Sequence, residues 1–400
     1  MKIHVILLLS LCSCALWAGN SIFSYEGFPL QNYGKDIYSL GMGDTGASDI
    51  FRINTGYANP AMNDRSKRTL FATGMVMGYT KYQSEYNGAK TSFRDDSLDF
   101  PYFNVSVPIG KQRFGMQFNS HSSGLVTNQT TLSNGLVEQQ STNKYLYRAD
   151  VIYGTYYKNF NAGVSGNFYF GHDNYAFSQT SSSSSFNTSE SLTKDFKNIG
   201  FTIGVLESLK NMSFGAHASL PVTLKGKSVR GNIHVTEAAI DCEYDLPGQY
   251  NLSATIIPLK YIKIAADICY EPWSSISSDY RDTKKVGIGI AYEPDKDSHK
   301  TLIGSMPLRA GAYYRELAFN DKNGNTIDEM AVSCGLTLPL KSKVGRIDLG
   351  LQLLQRGKLS TNELSDTSLM FMLGFTGFDF MYKAKDNTAP REIPVKEEFE

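Results

Sequence analysis

Residues 246–294 read LPGQYNLSATIIPLKYIKIAADICYEPWSSISSDYRDTKKVGIGIAYEP and contain three strand-like runs. In the middle run, one set of alternate residues is apolar and the set between them includes Lys263 and Asp267. Successive side chains of a strand point to opposite faces, so one face of this run is wholly apolar and the other is partly charged. The pattern fits a half-buried strand of a soluble sandwich or a membrane barrel strand with a polar lumen.

The composition narrows the function classes. The chain has 400 residues with 39 acidic and 39 basic side chains, so no net charge attracts nucleic acid. Glycine (35), tyrosine (24) and phenylalanine (23) are abundant and favour strands joined by turns. The dispersed histidines, the absence of CxxC spacing and the absence of a GxSxG elbow predict no metal, no cofactor and no enzymatic activity.

The N-terminus predicts export. A short basic start precedes the apolar run 5–18, which is too short for a spanning helix and is typical of a signal peptide cut near Ala18. The alternative is a lipoprotein signal with Cys14 as the lipidated residue. We therefore assign 1–18 to a signal peptide.

Residues 19–68 show no sustained alternation and are rich in small side chains, as expected where a backbone packs closely against other structure. The glycine cluster 40–47 lacks the GK[ST] ending of a phosphate loop. The segment is predicted to be a compact plug or cap.

From residue 69 to residue 382, about fourteen strand-like runs follow one another, among them 97–109, and short connections alternate with long ones such as 83–96. Short turns at one end and long loops at the other are typical of an outer-membrane barrel, whereas a soluble sandwich has no reason to sort its loops. The predicted fold is all-β: a transmembrane antiparallel barrel spanning 69–382, followed by a charged and disordered periplasmic tail, 383–400.

Alternation places eight ionisable residues in the lumen: Arg148, Asp150, His217, Lys263, Asp267, Arg309, Arg315 and Asp348. Arg148, Lys263, Arg309 and Arg315 are candidates to bind the carboxylate of an amphipathic ligand, with an apolar pocket for its tail. The alternative is a mixed-sign network that keeps the barrel rigid and wet. The similar numbers of both signs favour this network.

Three motifs together resemble the FadL/TodX family of outer-membrane transporters for hydrophobic compounds. The first is SLGMGDTGA at 39–47 followed by Asn59-Pro60-Ala61, and the second is the LP…P…AD..Y..WS pattern within 246–274. The third is LRAG.YY at 308–314. The family's usual glycine-rich opening is degenerate at 48–51, and the C-terminal tail is longer than a terminal strand requires.

The resemblance implies a fourteen-stranded barrel in the bacterial outer membrane with an N-terminal hatch, whose residues include Gly41, Gly43, Asn59, Pro60 and Ala61. It also implies passive uptake of hydrophobic or amphipathic small molecules such as fatty acids, with release through a shift of the hatch and a sideways exit into lipid. We expect a monomer whose partners are the lipid bilayer and the small molecule. Two alternatives remain open: a PorV-like partner of a protein secretion system, and a structural or general porin.

Overall fold

The computed structural model describes residues 21–24, 28, 30–32, 36–52, 58–62, 68–86, 88–132, 135–181, 187–294, 305–340 and 345–377. The predicted signal peptide and the predicted C-terminal tail lie outside these residues. The strands are β1 Leu70–Tyr86, β2 Ala89–Asp99, β3 Tyr102–Ile109, β4 Gln112–Thr131, β5 Val137–Tyr157, β6 Phe160–Thr180, β7 Thr188–Ser208, β8 Met212–Ser219, β9 Val222–Asn232, β10 Ile240–Leu246, β11 Gln249–Leu259, β12 Ile262–Glu271, β13 Thr283–Tyr292, β14 Leu308–Asn320, β15 Thr326–Pro339, β16 Arg346–Arg356 and β17 Leu364–Gly377.

The seventeen strands form one closed barrel with fourteen strand positions around it. Three positions are each occupied by two consecutive strands, β2–β3, β8–β9 and β10–β11, which we call interrupted strands. Every pairing is antiparallel. The barrel closes where β1 pairs with β17, from Phe71 opposite Gly377 to Ser84 opposite Leu364. This confirms the predicted all-β barrel.

The two ends of the barrel differ. At the end that holds Leu70 and Gly377, called the turn end here, β3 meets β4 and β5 meets β6 through turns of two residues. Gly110 and Lys158 have positive φ in these turns, as tight reversals require. The opposite end, called the loop end, carries the β12–β13 connection 272–282, which begins with a 3-10 turn at Trp273–Ser275.

The predicted long loops at the loop end are mostly strand. Residues 83–96 were expected to be a loop, yet β1 runs to Tyr86 and β2 starts at Ala89. Strands β5, β6 and β7 have 21 residues each and pair along their whole length. The prediction failed because apolar alternation stops where a strand leaves the apolar band, whereas the ladder of backbone hydrogen bonds continues.

The outer face of the barrel is apolar, as predicted. In β12, Ile268 is 54% exposed while Lys263 and Asp267 point inward with 2% and 4% exposure. The same alternation exposes Val332 of β15 and Leu353 of β16. All eight ionisable residues predicted to face the lumen are buried.

A proline lies at the break in each of the three interrupted strands: Pro101 between β2 and β3, Pro221 between β8 and β9, and Pro247 between β10 and β11. Proline has no N–H to donate to the ladder of backbone hydrogen bonds, so a barrel strand can bend or change its pairing partner there. Below its interruption β11 pairs with β8 and β12, whereas β10 above pairs with β9. Neither one-turn helix of the described chain, Ile37–Leu40 or Leu359–Asn362, has the length and apolar character needed to cross a membrane.

Candidate functional site

Residues 36–52 and 58–62, called the lumen segment here, lie against the inward-facing residues of the barrel. The helix Ile37–Leu40 begins after Asp36, whose carboxylate accepts a hydrogen bond from the Ser39 N–H at 2.9 Å. This N-cap satisfies one of the helix's free donors. Ile37, Met42 and Thr45 are at most 1% exposed. The segment therefore occupies the interior between β1, β12–β14 and β17.

Glycines of the wall let the lumen segment approach closely. A Cβ on Gly289 of β13 or Gly311 of β14 would overlap backbone atoms of Met42. On the segment's own side, Gly43 has φ +70°, and a Cβ there would overlap the backbone of Ala312. The backbone of the lumen segment thus lies directly against the backbone of β13 and β14, an approach that only glycine permits.

A second glycine contact holds the end of the lumen segment near the turn end. A Cβ on Gly163 of β6 would overlap the backbone of Pro60, and one on Gly204 of β7 would overlap the Asn59 side chain. The Asn59 amide oxygen accepts a hydrogen bond from the Ala61 N–H at 2.9 Å. These three residues were predicted to be hatch residues.

A buried charge cluster surrounds Tyr38. The Lys263 ammonium lies 2.7 Å from a carboxylate oxygen of Asp49 and 2.7 Å from one of Glu293. Asp36 pairs with Arg52 at 2.5 Å and with Arg346 of β16 at 3.4 Å.

The Tyr38 ring is surrounded by cations. Positive groups of Arg52, Arg309 and Lys263 lie 4.4–4.9 Å from the centre of the Tyr38 ring, which is the range of cation–π attraction. The cluster ties the lumen segment to β12 and β16.

The four candidate cations are divided between separate places. Lys263 and Arg309 both face Tyr38, and Gly41 packs on the Arg309 side chain. Arg148 pairs with Asp150 within its own strand at 3.0 Å. Arg315 donates hydrogen bonds to the Gln31 carbonyl at 3.0 Å and to Glu329 at 2.8 Å. All four cations have acidic partners.

Sequence reasoning missed Arg346, Arg356, Asp36 and Glu293. Arg356 pairs with Glu329 at 2.5 Å and with Asp366 at 3.5 Å. Arg346 and Arg356 stand at the ends of β16, where alternation gives no clear direction. Asp36 precedes the helix in a segment without periodicity, so the sequence carried no sign of its role.

Between the lumen segment and the wall is a cavity of about 150 Å³. Its lining combines apolar and charged side chains. The apolar side chains are Leu30, Leu40, Val76, Leu354, Met370 and Met372, and the charged side chains are Asp44, Asp99, Lys285, Arg315, Glu329 and Arg356. Of the four candidate cations, Arg315 lines this cavity.

The wall is divided beside the cavity. Strand β2 pairs with β1, whereas β4 above Asn119 pairs with β5, and no described ladder joins β2 to β4. Ser97, Asp99, Pro101 and Ser123 border this division and also line the cavity. Towards the loop end the division widens into a cleft of about 1130 Å³ between Thr91–Asp95 and Leu125–Thr130.

A family model described as BamG matches residues 1–383. The chain belongs to the BamG family. No curated protein matches it in sequence. Among solved structures, the toluene transporter TodX of P. putida is similar to this BamG-family chain, with 15% identity, a TM-score of 0.62 and coverage of 88% of this chain and 100% of TodX.

A FadL homologue of Pseudomonas aeruginosa is similar as well, with 12% identity, a TM-score of 0.63 and coverage of 89% of this chain and 100% of that one. The toluene transporter TbuX of Ralstonia pickettii has 15% identity and a TM-score of 0.57, with coverage of 86% and 98%. The BamG-family barrel thus has the FadL/TodX fold, which the motifs had predicted. In the described part of the chain, no group of side chains could hold a metal ion.

Proposed function

We propose that this protein is a FadL-type channel of the bacterial outer membrane, through which small hydrophobic or amphipathic molecules move passively and without enzymatic chemistry. The observation that carries the proposal is the amphipathic cavity beside the division between β2 and β4. The apolar outer face supports a location in a bilayer. The turn end would then face the periplasm and the loop end the exterior.

The route begins at the outer cleft, passes the division on the loop-end side of Pro101, where Ser97, Asp99 and Ser123 line it, and reaches the cavity. A cavity of about 150 Å³ matches a single-ring compound in size, because an engineered cavity of about 150 Å³ binds benzene. A fatty acid would place its head in the cavity while its chain lay along the division towards lipid. The lumen segment would act as the hatch, so release to the periplasm requires it to move from its seat on Gly289 and Gly311.

Within this proposal the four candidate cations have different roles. Arg315, together with Arg356, faces the cavity and would attract a ligand carboxylate. Lys263 and Arg309 hold the hatch through Tyr38 and its acidic neighbours. Arg148 stiffens β5 through Asp150.

Filling the cavity should weaken ligand binding. Val76 lines the cavity, and its neighbour Met77 is 46% exposed on the outer face. We expect Val76→Trp to weaken toluene binding by at least about tenfold, a loss of about 1.4 kcal/mol. Met77→Trp is the matched control and should leave binding unchanged. Calorimetry on the detergent-solubilised barrel measures both, and equal affinity in the two variants would contradict the assigned cavity.

Removing the cavity cation should separate charged from neutral ligands. We expect Arg315→Gln to weaken benzoate binding by about tenfold while toluene affinity changes little, because only the carboxylate gains from the guanidinium. Arg230→Gln, which alters an exposed arginine at the loop end, is the control. Parallel losses for benzoate and toluene would indicate that Arg315 acts through the structure of the lumen segment instead.

A second function is favoured by a different observation. The lumen segment rests on four glycines and is fastened by buried ion pairs, which would hold a hatch in place. A barrel with an immobile hatch would serve as a PorV-like assembly or secretion partner. Co-purification of a large protein partner together with no bound hydrophobic compound would support that function. Steady ion conductance of the unmodified protein in planar bilayers would instead support a porin.

A further inference from the structure

Strand β10, Ile240–Leu246, has one unused edge. Its ladder to β9 runs from Ile240 opposite Ser228 to Leu246 opposite Val222. The next strand, β11, is paired on both sides, with β8 and with β12. Within the described residues no strand lies along the other side of β10, and no backbone hydrogen bond joins that side to a neighbouring loop. The change occurs near Pro247, because the β11–β12 ladder ends at Tyr250 opposite Tyr270 and β12 itself ends at Glu271.

This edge lies above the apolar band. The outer faces of β7, β9 and β10 carry exposed ion pairs between Arg230 and Glu190 at 3.2 Å and between Lys227 and Asp241 at 2.5 Å. Lysine and carboxylate side chains that are more than half exposed would be expensive to place in hydrocarbon. The β9–β10 hairpin therefore stands in water beyond the loop end.

The two faces of β10 differ in chemistry. On the inner face, Tyr244 contacts the rings of Phe28 and Phe196, and Leu246 is buried in the same cluster. The outer face carries Asp241, Glu243 and Asp245 at alternate positions, all exposed. On the β9 side these carboxylates meet Lys227, Lys225 and the Thr223 hydroxyl. On the open side the same row of carboxylates meets no basic side chain of the described chain.

We propose that the open edge of β10 binds an extended segment of another exported protein, one with lysine or arginine at alternate positions. Such a segment would add a strand to the sheet through main-chain hydrogen bonds. Its basic residues would stand opposite Asp241, Glu243 and Asp245, where opposite charges in cross-strand pairs are favourable. A second copy of β10 would bring two acidic rows together, so the charge pattern excludes self-pairing and selects a basic partner.

Two further features support the edge as a docking surface. Natural edge strands are often protected by proline, a bulge or lysine, and β10 has none of these between Ile240 and Leu246. At the hairpin tip, Ile233, Val235 and Ile240 are 52%, 58% and 66% exposed to water. Exposed apolar residues next to an open edge would cover the apolar side of the incoming strand. This proposal does not depend on the cargo of the barrel.

The first test uses the full-length protein in detergent and a fluorescent nonapeptide of alternating lysine and valine. Anisotropy should show binding at least about tenfold tighter than for the matched glutamate–valine peptide. The backbone nitrogens of the lysine peptide form two alternate sets, and only one set faces the edge of β10. Methylating that set should weaken the affinity about tenfold, since strand addition needs those N–H groups. Equal binding of the lysine and glutamate peptides, or full binding by both methylated peptides, would overturn the proposal.

The second test reverses the charge of the edge. Asp241→Lys combined with Glu243→Lys should switch the preference to the glutamate peptide, while Asp279→Lys in the β12–β13 connection should leave it unchanged. All three residues are exposed, and the heat-dependent electrophoretic mobility of the barrel verifies folding. A photo-reactive lysine peptide should also cross-link to β10. An unchanged preference after charge reversal, or cross-links confined to other strands, would overturn the proposal.

Discussion

The Gly311→Val variant should lose the seat of the lumen segment and conduct ions. A Cβ at this position overlaps the backbone of Met42 and Gly43, and backbone atoms cannot move aside as a flexible side chain can. We expect a loss of about 3 kcal/mol in the free energy of unfolding, at the upper end for overpacking. The displaced segment would leave a water-filled path, which planar-bilayer recordings would register as steady conductance.

Gly166→Val is the matched control, because a Cβ on this glycine of β6 meets nothing within 4 Å. Accessibility supplies a second measurement. Thr45 is fully buried, so a Thr45→Cys reporter without the other cysteines should react with maleimide in the Gly311→Val background and not in the parent. A stable, closed and unreactive Gly311→Val barrel would show that the segment is not seated on β14.

The Lys263→Met variant should destabilise the centre of the barrel. Lys263 is 2% exposed and pairs with Asp49 and Glu293, so the substitution leaves carboxylates without their principal cation. Removing one partner of a buried pair costs about 3–5 kcal/mol. We expect a value near the lower bound, because Arg52 still contacts Asp49 at 3.2 Å. Urea unfolding of the bilayer-reconstituted protein measures the loss.

Lys284→Met alters an exposed lysine of β13 and should change stability by less than about 0.5 kcal/mol. Adding Asp49→Asn to Lys263→Met completes a double-mutant cycle. The double variant should be more stable than the sum of the two single losses predicts, because residues in contact do not add. Strict additivity would mean that the two groups, although 2.7 Å apart, are not energetically coupled.

Much of the barrel could be predicted because a membrane strand repeats one simple rule. Inward Lys263 and Asp267 and outward Ile268 follow directly from alternation, and the structure confirms all three. This alternation of apolar and polar residues stops where a strand leaves the apolar outer face. The continuation of β5 to β7 beyond it was therefore invisible, although their ladders continue unbroken.

The candidate site was less predictable because its partners are far apart in the chain. Asp36 meets Arg346 across 310 residues, and no local pattern connects them. The division of the wall did leave a sign. Pro101 lies inside a predicted strand, where a proline normally indicates an edge or an interruption. Treating that proline as a break would have located the division between β2 and β4.

The position of Ile37 has a consequence for how the molecule is assembled. Ile37 touches Gly74 of β1 and Gly374 of β17, the first and last strands, at the seam where the barrel closes. Its neighbours Tyr38 and Asp49 contact side chains from late strands, Lys263 and Arg309. Residues 37–49 therefore cannot complete their contacts until β12, β14 and β17 have been made. Contacts between residues so far apart in the chain form slowly, because closing a long loop costs entropy. We therefore expect the sheet to stay open until residues 36–52 are inside it and β17 to close the seam over Ile37 afterwards.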